Sequence, residues 1–219
     1  MSSNGSTQLA TILRQGILFI VSGPSGAGKT TLSDAVLRVF EDLELSVSCT
    51  TRSPRTGEID GVNYHFVGRE RFDEMLAAGA LAEWAEVHGE RYGSPREQLE
   101  RAIAEGRDIL LDIDVQGARQ IKEKFPQAVS VFLLPPDRDT LAARLRGRGT
   151  DDDATVRRRL DNACREIAAA PDYDFVIVNV DRLAAIAEFE AIVRGERRRV
   201  ARMRPEALSA FVKRFEVRS

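Results

Sequence analysis

The segment GPSGAGKT, residues 23–30, constrains the fold of this chain more than any other feature. It matches the pattern G-x-x-x-x-G-K-[ST] in full, between a predicted buried strand at residues 17–22 and a predicted helix over about residues 29–40. Glycines in such a turn let successive backbone N–H groups point inward, and the helix N-terminus adds positive potential. The segment therefore predicts a phosphate-binding loop for a nucleoside triphosphate.

Two side chains of this loop carry candidate chemistry. Lys29 can reach the β- and γ-phosphates of a bound triphosphate, and the Thr30 hydroxyl can ligate Mg²⁺. The predicted triphosphate-binding residues of the loop are Gly23, Pro24, Ser25, Gly26, Ala27, Gly28, Lys29, Thr30 and Thr31. The alternative, a glycine-rich turn with an incidental lysine, does not explain why a strand precedes the turn and a helix follows it.

A second apolar run, at residues 108–113, leads into carboxylates that suit a metal ion. Asp112 would lie beside the phosphate loop and hold Mg²⁺ through water. Asp114, two residues further on, points to the same side of an extended strand. Alternatively, either carboxylate caps the turn at residues 116–117.

The rest of the chain alternates apolar runs with amphipathic stretches, the pattern of a parallel sheet covered by helices. Further buried strands are predicted at residues 129–134 and 175–180. The segment TTRSPRTGEIDGVNYHFV predicts short antiparallel strands around residues 62–67, because proline and closely spaced glycines favour tight turns. The sequence thus predicts an α/β protein with a P-loop NTPase core, a parallel sheet flanked by helices and a small inserted subdomain.

Composition excludes several classes of protein. The 219 residues suit one α/β domain, and a net charge of −2 argues against a surface that binds nucleic acid throughout. Two cysteines without a C-x-x-C pair indicate neither a zinc site nor a disulfide framework. Residues 1–15 are polar and small, without a secretory pattern. We therefore expect a flexible N-terminal tail, a cytoplasmic location and no membrane partner.

The inserted segment carries side chains that suit an anion. Arg52 and Arg55 lie three residues apart around Pro54, and Tyr64 and Tyr92 offer phenolic hydroxyls. Guanidinium groups and hydroxyls of this kind can bind a phosphate dianion without acting as nucleophiles. The insert therefore predicts the site of a phosphate-bearing acceptor, although two arginines in a turn are, by themselves, more often surface charges.

A guanine base on that acceptor would need an acceptor for its N1–H and 2-amino groups and a donor for its O6. A carboxylate and a hydroxyl meet these needs, and they reject adenine because polar groups are then left unpaired. Glu83 or Glu86 can supply the carboxylate, and Ser48 or Ser46 the hydroxyl. Spacing alone leaves both choices open.

Three segments, SVSCTTRSPRTGEIDGVNYHFV, EWAEVHGERYGS and ILLDIDVQG, together resemble the guanylate kinase family closely. The resemblance runs from about residue 17 to residue 179 and is highly specific. It implies an enzyme that uses Mg²⁺ and ATP to phosphorylate GMP, and dGMP as well, in purine nucleotide metabolism. It also implies a P-loop core, a GMP-binding subdomain and a mobile lid.

The resemblance assigns roles by position in this sequence. The catalytic residues that it implies are Lys29, Arg144, Arg148 and Arg159. The GMP-binding residues that it implies are Ser48, Arg52, Arg55, Tyr64, Glu83, Tyr92, Ser94 and Asp114. Asn179 matches a position near the adenine of ATP. The chain departs from the family at Arg91, where an aromatic residue is usual, and at Val180, where an aspartate is common.

The predicted domain covers residues 16–219, and its parts follow from these assignments. The core is assigned to residues 16–47, 95–140 and 166–200, the GMP-binding insert to 48–94, and the lid to 141–165. The lid is predicted as two helices joined by a turn at Gly147 and Gly149, the second starting at Thr150. The basic segment 194–219 is predicted as a solvated helix that Pro205 interrupts.

Two other functions are weighed against this one. A kinase of the same build could act on another small phosphate ester such as ribose 1,5-bisphosphate, but an insert holding Ser48, Glu83 and an arginine pair argues against it. A non-catalytic guanylate-kinase-like module that binds phosphoproteins typically lacks the loop lysine or the lid arginines, and both are present here. The sequence leaves a monomer or a homo-oligomer open.

Overall fold

The computed structural model describes residues 14–87, 89–147 and 152–213. Its strands are β1 (Leu18–Ser22), β2 (Leu43–Leu45), β3 (Cys49–Thr50), β4 (His65–Phe66), β5 (Leu81–Val87), β6 (Glu90–Pro95), β7 (Asp108–Asp112), β8 (Val129–Leu134) and β9 (Phe175–Val178). Its α-helices are α1 (Lys29–Val39), α2 (Arg69–Ala77), α3 (Arg96–Glu105), α4 (Val115–Lys124), α5 (Arg138–Arg146), α6 (Asp153–Ile167), α7 (Arg182–Glu196) and α8 (Pro205–Lys213). Within these ranges, no helix has both the length and the apolar character needed to cross a membrane.

The central sheet has five parallel strands in the order β2-β7-β1-β8-β9. This arrangement confirms the predicted α/β fold. β2 was not predicted from the sequence. It has only three residues, of which one is buried, and so short a segment shows no clear apolar pattern. β1 lies at the centre, so the loop that follows it opens at the carboxyl edge of the sheet, where α/β proteins bind ligands.

Helices cover both faces of the central sheet. α1 and α7 cover one face, where Phe19 and Phe189 meet edge to face with ring centroids 6.3 Å apart. α3 and α4 cover the other face and bury Leu99 and Ile121. Each fully buried side chain of this kind stabilises the fold by about 1.5–3 kcal/mol. Burial on both faces is the reason why the strands read as continuous apolar runs.

A smaller sheet of order β4-β3-β6-β5 is built from the inserted segment. α2 packs on it, with Phe72 buried against Cys49 and Leu81. The β3–β6 and β6–β5 pairs are antiparallel, but β3 and β4 are parallel, so the prediction of antiparallel strands around residues 62–67 is wrong for that pair. The intervening residues 51–64 are long enough for the crossover that a parallel pair requires.

α5 and α6 form a separate helical pair with a small core of its own, which includes Leu141, Leu145, Val156 and Leu160. The segment predicted as the lid contains most of these two helices, and the second, α6, begins at Asp153. Asp152 caps α6 by accepting a hydrogen bond from the Thr155 backbone N–H at 2.7 Å. The predicted hinge at Gly149 and the predicted helix start at Thr150 lie outside the described residues.

The N-terminal tail predicted to be flexible, residues 1–15, includes a residue that belongs to the folded domain. Residues 1–13 lie outside the described residues, but Arg14 is only 3% exposed. Its guanidinium donates to both carboxylate oxygens of Asp108, at 2.5 and 2.9 Å. Arg14 is therefore part of the folded domain, because the buried carboxylate needs a positively charged partner.

The basic C-terminal segment is also less solvated than predicted. Arg202 is 9% exposed and pairs with the buried Glu196, and Arg197 donates to Asp108 at 2.7 Å. α7 has already ended at Glu196, so Pro205 begins α8 and does not interrupt a continuous helix. Arginines of this segment serve to neutralise interior carboxylates.

Replacing Asp108 with alanine is expected to lower the free energy of unfolding by about 3–5 kcal/mol, because Arg14 is then left buried without its partner. Urea unfolding monitored by circular dichroism measures the change. Asp42 is the matched control, since it pairs with the same Arg197 nearer the surface. Asp42→Ala is expected to cost less than about 1 kcal/mol. Equal losses in the two variants would contradict a buried ion pair at Asp108.

Candidate active site

The phosphate loop connects β1 to α1 through a backbone that only glycine adopts easily. Gly23, Gly26 and Gly28 have φ angles of 146°, 92° and 103°. A Cβ atom at Gly23 would lie 2.3 Å from the carbonyl oxygen of Leu133, so this position also lacks space. Gly28 caps α1 without a side-chain hydrogen bond. The N–H groups of the first turn are consequently open to an anion.

Lys29, Thr30 and Asp112 bring charge and oxygen ligands to this loop. Lys29 Nζ donates to the carbonyl oxygen of Gly23 at 2.7 Å, so the ammonium group lies inside the loop. Thr30 Oγ1 lies 3.2 Å from Asp112 Oδ2. Burial raises the pKa of Asp112, and the charge of Lys29 opposes that shift. Mg²⁺ commonly binds one or two protein oxygens together with phosphates and water, so a hydroxyl beside a carboxylate fits this ion.

A cleft of about 440 Å³ lies beside the loop and next to α7. Asn179 is buried there and donates from Nδ2 to the Ala27 carbonyl at 2.7 Å. Arg144 donates to the carbonyl oxygens of Asn179, at 3.0 Å, and Ala27, at 3.4 Å. In this conformation both side chains support the loop from the outside. Val180 and Arg182 also line the cleft, and sequence reasoning had missed Arg182.

A second cleft, of about 580 Å³, separates the phosphate loop from the smaller sheet. Its lining includes residues of the core and residues of the insert. The core residues include Lys29, Thr30, Ser46 and Asp112, and the insert residues include Ser48, Arg55, Glu58 and Tyr64. Ser46 and Ser48, which spacing could not separate, both line it, although Ser46 is the more buried. The two predicted phosphate sites therefore face each other across one space.

Arg52 is held in place by a residue that sequence reasoning missed. Glu58 accepts hydrogen bonds from Arg52 Nη1 at 3.0 Å and Nη2 at 2.9 Å, and also from the Arg55 backbone at 2.7 Å. These hydrogen bonds lower the pKa of Glu58, the one from Arg52 most. The Arg52 guanidinium lies 5.5 Å from the centre of the Tyr64 ring. A glutamate following two arginines in a turn was the available signal, because charge compensation is expected there.

The Tyr64 and Tyr92 rings lie 5.8 Å apart, edge to face. Both side chains are half-buried, and Tyr92, after Glu58, helps to raise the pKa of Arg52. The Arg55 side chain is exposed and lines the same cleft. The structure thus brings together four of the residues predicted to bind the phosphate of an acceptor.

Glu83 and Ser94 form a buried polar pair between β5 and β6. Glu83 is 3% exposed and Ser94 is 0% exposed, and the Ser94 hydroxyl donates to Glu83 Oε1 at 2.7 Å. Burial raises the pKa of Glu83 to about 7, the Ser94 hydrogen bond opposes this shift, and the nearby Asp114 adds to it. Glu86, the other carboxylate left open by spacing, is exposed.

Asp114 does not extend a strand. β7 ends at Asp112, and Asp114 caps α4 by accepting a hydrogen bond from the Gly117 N–H at 2.8 Å. The inference that Asp112 and Asp114 share one side of an extended strand is therefore wrong, and the capping alternative describes Asp114 correctly. The reason is that a helix begins immediately after the strand and its first N–H groups need an acceptor.

Besides Arg144, the helical pair places a second charged side chain, Glu166, near the phosphate loop. Burial raises the pKa of Glu166, on α6, while the charge of Lys29 and, to a smaller extent, the Ser25 backbone oppose the shift. Sequence reasoning missed Glu166, although it lies seven residues after Arg159 and so shares a helical face with it. Arg159 is half-buried on α6. Arg148 lies outside the described residues.

Comparisons with known proteins agree with this geometry. The guanylate kinase family model matches residues 15–196. The guanylate kinase of Syntrophotalea carbinolica is 52% identical over 198 residues, which cover 90% of this chain and 94% of that protein. The guanylate kinase of Sphingopyxis alaskensis is 50% identical over 185 residues, 84% of each protein. The crystal structure of guanylate kinase from Anaplasma phagocytophilum has a TM-score of 0.76 and 34% identity, covering 94% of this chain and 100% of that one. This chain belongs to the guanylate kinase family.

Proposed function

We propose that this enzyme transfers the γ-phosphoryl group of ATP to GMP, and also to dGMP, giving ADP and the corresponding diphosphate. The observation that carries the proposal is the cleft in which the phosphate loop faces the insert that bears Arg52, Arg55 and Glu83. The identity of about half of the residues with curated guanylate kinases supports the same reaction. We propose the cytoplasm as the compartment, since ATP is plentiful there.

The transfer depends on alignment and on charge stabilisation. A GMP phosphate oxygen is already an anion at pH 7, so no general base is required. The N–H groups of the phosphate loop and Lys29 hold the donor phosphates, while Arg52 and Arg55 hold the acceptor phosphate. Arg144, Arg148 and Arg159 stabilise the charge that spreads over the transferring group when the lid closes. In that step Arg144 exchanges its carbonyl partners for phosphate oxygens.

Thr30 and Asp112 would hold Mg²⁺, the hydroxyl directly and the carboxylate through water. The ion would neutralise charge on the donor phosphates. Asn179, Val180 and Arg182 line the cleft on the other side of the loop, which suits the adenine of ATP. An apolar Val180 at this position offers packing against a base and no hydrogen bond.

Guanine is read by the buried carboxylate. Glu83 accepts from the N1–H and 2-amino groups, Ser48 donates to O6, and Ser94 holds the carboxylate from behind. Asp114 can contribute its second carboxylate oxygen, since the first accepts from the Gly117 N–H. Adenine has neither of the two donors, so its binding leaves the buried Glu83 carboxylate with Ser94 and without a donor from the base.

Replacing Asp112 with asparagine is expected to raise the Mg²⁺ concentration that gives half-maximal activity by about tenfold or more, because a group that orients metal-bound water loses its charge. A Mg²⁺ titration at fixed ATP measures this. Asp34→Asn is the matched control, since Asp34 is exposed on α1 and lines the same cleft. The control is expected to stay within about twofold of the unmodified enzyme. Identical titrations for the two variants would exclude Asp112 from the ion site.

A coupled assay for ADP release tests the proposed function. GMP, AMP, CMP, UMP and ribose 1,5-bisphosphate are offered separately as acceptors with Mg²⁺ and ATP. We expect turnover with GMP and little with the others. A preference for AMP would contradict the assignment of Glu83, and turnover with ribose 1,5-bisphosphate alone would favour another phosphate ester as substrate. No turnover with any acceptor would favour a non-catalytic binding module.

A further inference from the structure

One face of α4 contacts β5, the strand that contains Glu83. Gly117, Gln120 and Lys124 are spaced i, i+3 and i+7, so they lie in one stripe along the helix. Each of the three contacts β5. We call these three residues the α4 stripe. Since α4 follows directly on β7, the stripe connects the smaller sheet to the core.

Gln120 binds the backbone of Trp84, the residue that follows Glu83. Its Nε2 donates to the Trp84 carbonyl oxygen at 2.7 Å, and its Oε1 accepts from the Trp84 N–H at 3.2 Å. One side-chain amide therefore satisfies the donor and the acceptor of a single residue, as a neighbouring strand would. β5 lies at the edge of the smaller sheet, so Gln120 pairs with backbone groups on its open side. The direction of the backbone at Glu83 is thereby fixed.

Lys124 binds the backbone on the other side of Glu83. Its Nζ donates to the Ala82 carbonyl oxygen at 2.5 Å. Residues immediately before and after Glu83 are thus both attached to α4. A strand held on both sides of Glu83 has little freedom to move the backbone that carries this side chain.

Gly117 leaves room for the carboxylate itself. A Cβ atom at this position would lie 2.5 Å from Glu83 Oε2 and 3.1 Å from its Cδ. The backbone of Gly117 is helical, so the glycine is required for space and not for an unusual conformation. The Glu83 carboxylate lies between this backbone and the Ser94 hydroxyl, which is 2.7 Å from Oε1.

We propose that the α4 stripe determines base selectivity by positioning Glu83, with Gln120 and Gly117 as positioning residues that do not touch the substrate. The inference rests on the proposed function, because it assigns the stripe to the guanine subsite of the same cleft. Guanine donates two hydrogen bonds to Glu83, whereas hypoxanthine, in inosine monophosphate, lacks the 2-amino group and donates one. A displaced carboxylate therefore harms GMP more than inosine monophosphate.

Replacing Gln120 with alanine is the first test. We expect the KM for GMP to rise about tenfold or more, since a misplacement of about 1 Å can cost a hundredfold. The ratio of kcat/KM for GMP to that for inosine monophosphate is expected to fall at least about fivefold. The KM for ATP and the kcat at saturating GMP are expected to stay within about twofold, because the phosphate sites are not altered. A variant that was merely less stable would not separate KM from kcat in this way.

Arg119→Ala is the matched control, because Arg119 precedes Gln120 and its exposed side chain pairs with Glu123. It is expected to leave both selectivity and KM unchanged. Gly117→Ala is the second variant, and it keeps the test valid if Gln120→Ala folds poorly. The added methyl group displaces the Glu83 carboxylate, and the higher helix propensity of alanine offsets part of the cost. We therefore expect this variant to fold, and its melting temperature checks this.

The outcomes separate this inference from the proposed function. No turnover of GMP by the unmodified enzyme would refute the proposed function, and the inference with it. Normal turnover by the unmodified enzyme, with unchanged GMP affinity and selectivity in both folded variants, would refute the positioning role alone. Loss of selectivity in Gly117→Ala and Gln120→Ala, but not in Arg119→Ala, would support it.

Discussion

Replacing Lys29 with alanine is expected to lower kcat by about a thousandfold or more, the upper range for losing one preorganised donor. The ammonium group lies inside the phosphate loop, where its Nζ donates to the Gly23 carbonyl oxygen. No other described side chain of the loop carries positive charge, so the developing charge on the transferring phosphate loses its nearest cation. Single-turnover measurements with ATP and GMP at saturation report the chemical step directly.

Lys29→Arg is an informative companion variant, because it keeps the charge but replaces a compact ammonium group with a larger, planar guanidinium group. We expect it to remain strongly impaired, since the loop holds Lys29 by one short contact to its own backbone. Lys213→Ala, far along the chain on the exposed α8, controls for the loss of a lysine. Turnover of Lys29→Ala within tenfold of the unmodified enzyme would remove Lys29 from the catalytic residues.

Replacing Glu83 with glutamine is expected to lower kcat/KM for GMP by about a thousandfold or more, since a site built to accept hydrogen bonds then presents a donor. The amide NH₂ group would face one of the two guanine donors, and a buried donor left without an acceptor is costly. The KM for ATP is expected to change little, because Glu83 lies in the insert and the loop is unaltered. Steady-state kinetics with each substrate varied in turn measures both. Equal effects on ATP and GMP would contradict a role in reading the base.

The same residue predicts how activity depends on pH. Burial raises the pKa of Glu83 to about 7, so the carboxyl group gains a proton as the pH falls below that value. Only the ionised form accepts both guanine donors, so kcat/KM for GMP is expected to fall by up to about tenfold per pH unit below 7. The GMP phosphate also titrates, with a second pKa near about 6.

The variant Glu83→Gln distinguishes the two titrations. Its glutamine does not ionise, so only the GMP phosphate still titrates. We expect kcat/KM of Glu83→Gln for GMP to stay nearly constant between about pH 6.5 and 8. Over the same range, which brackets the Glu83 pKa of about 7, kcat/KM of the unmodified enzyme is expected to fall as the pH is lowered. Parallel profiles for the two enzymes would show that Glu83 is ionised throughout.

The phosphate loop and the main strands of the central sheet depend on local sequence, so they could be predicted from the sequence. The phosphate loop needs glycines at fixed spacing because only they adopt the backbone at Gly23, Gly26 and Gly28. The strands of the central sheet are buried on both faces, so they appear as apolar runs. A resemblance over most of the chain added the lid and the choice of Ser48 and Glu83 for the base, which spacing alone had left open.

Predictions failed where a residue's partner is distant in sequence. Arg14 was expected in a flexible tail, but Asp108, 94 residues away, holds it in the interior. Asp114 was placed on a strand, although α4 begins directly after it and takes its carboxylate as a cap. The parallel pairing of β3 with β4 likewise depends on the path of the connecting residues, which turn signals do not specify.

The sequence by itself determined the fold class, the phosphate loop and the kinds of side chain available for the acceptor. Only the tertiary structure decided which carboxylate is buried, since Glu83 and Glu86 differ by the face of β5 on which they lie. It also decided that Glu58 orients Arg52 and that Gln120 binds the backbone at Trp84. Burial and long-range hydrogen bonds arise only when distant segments pack together, and spacing along one chain does not contain that information.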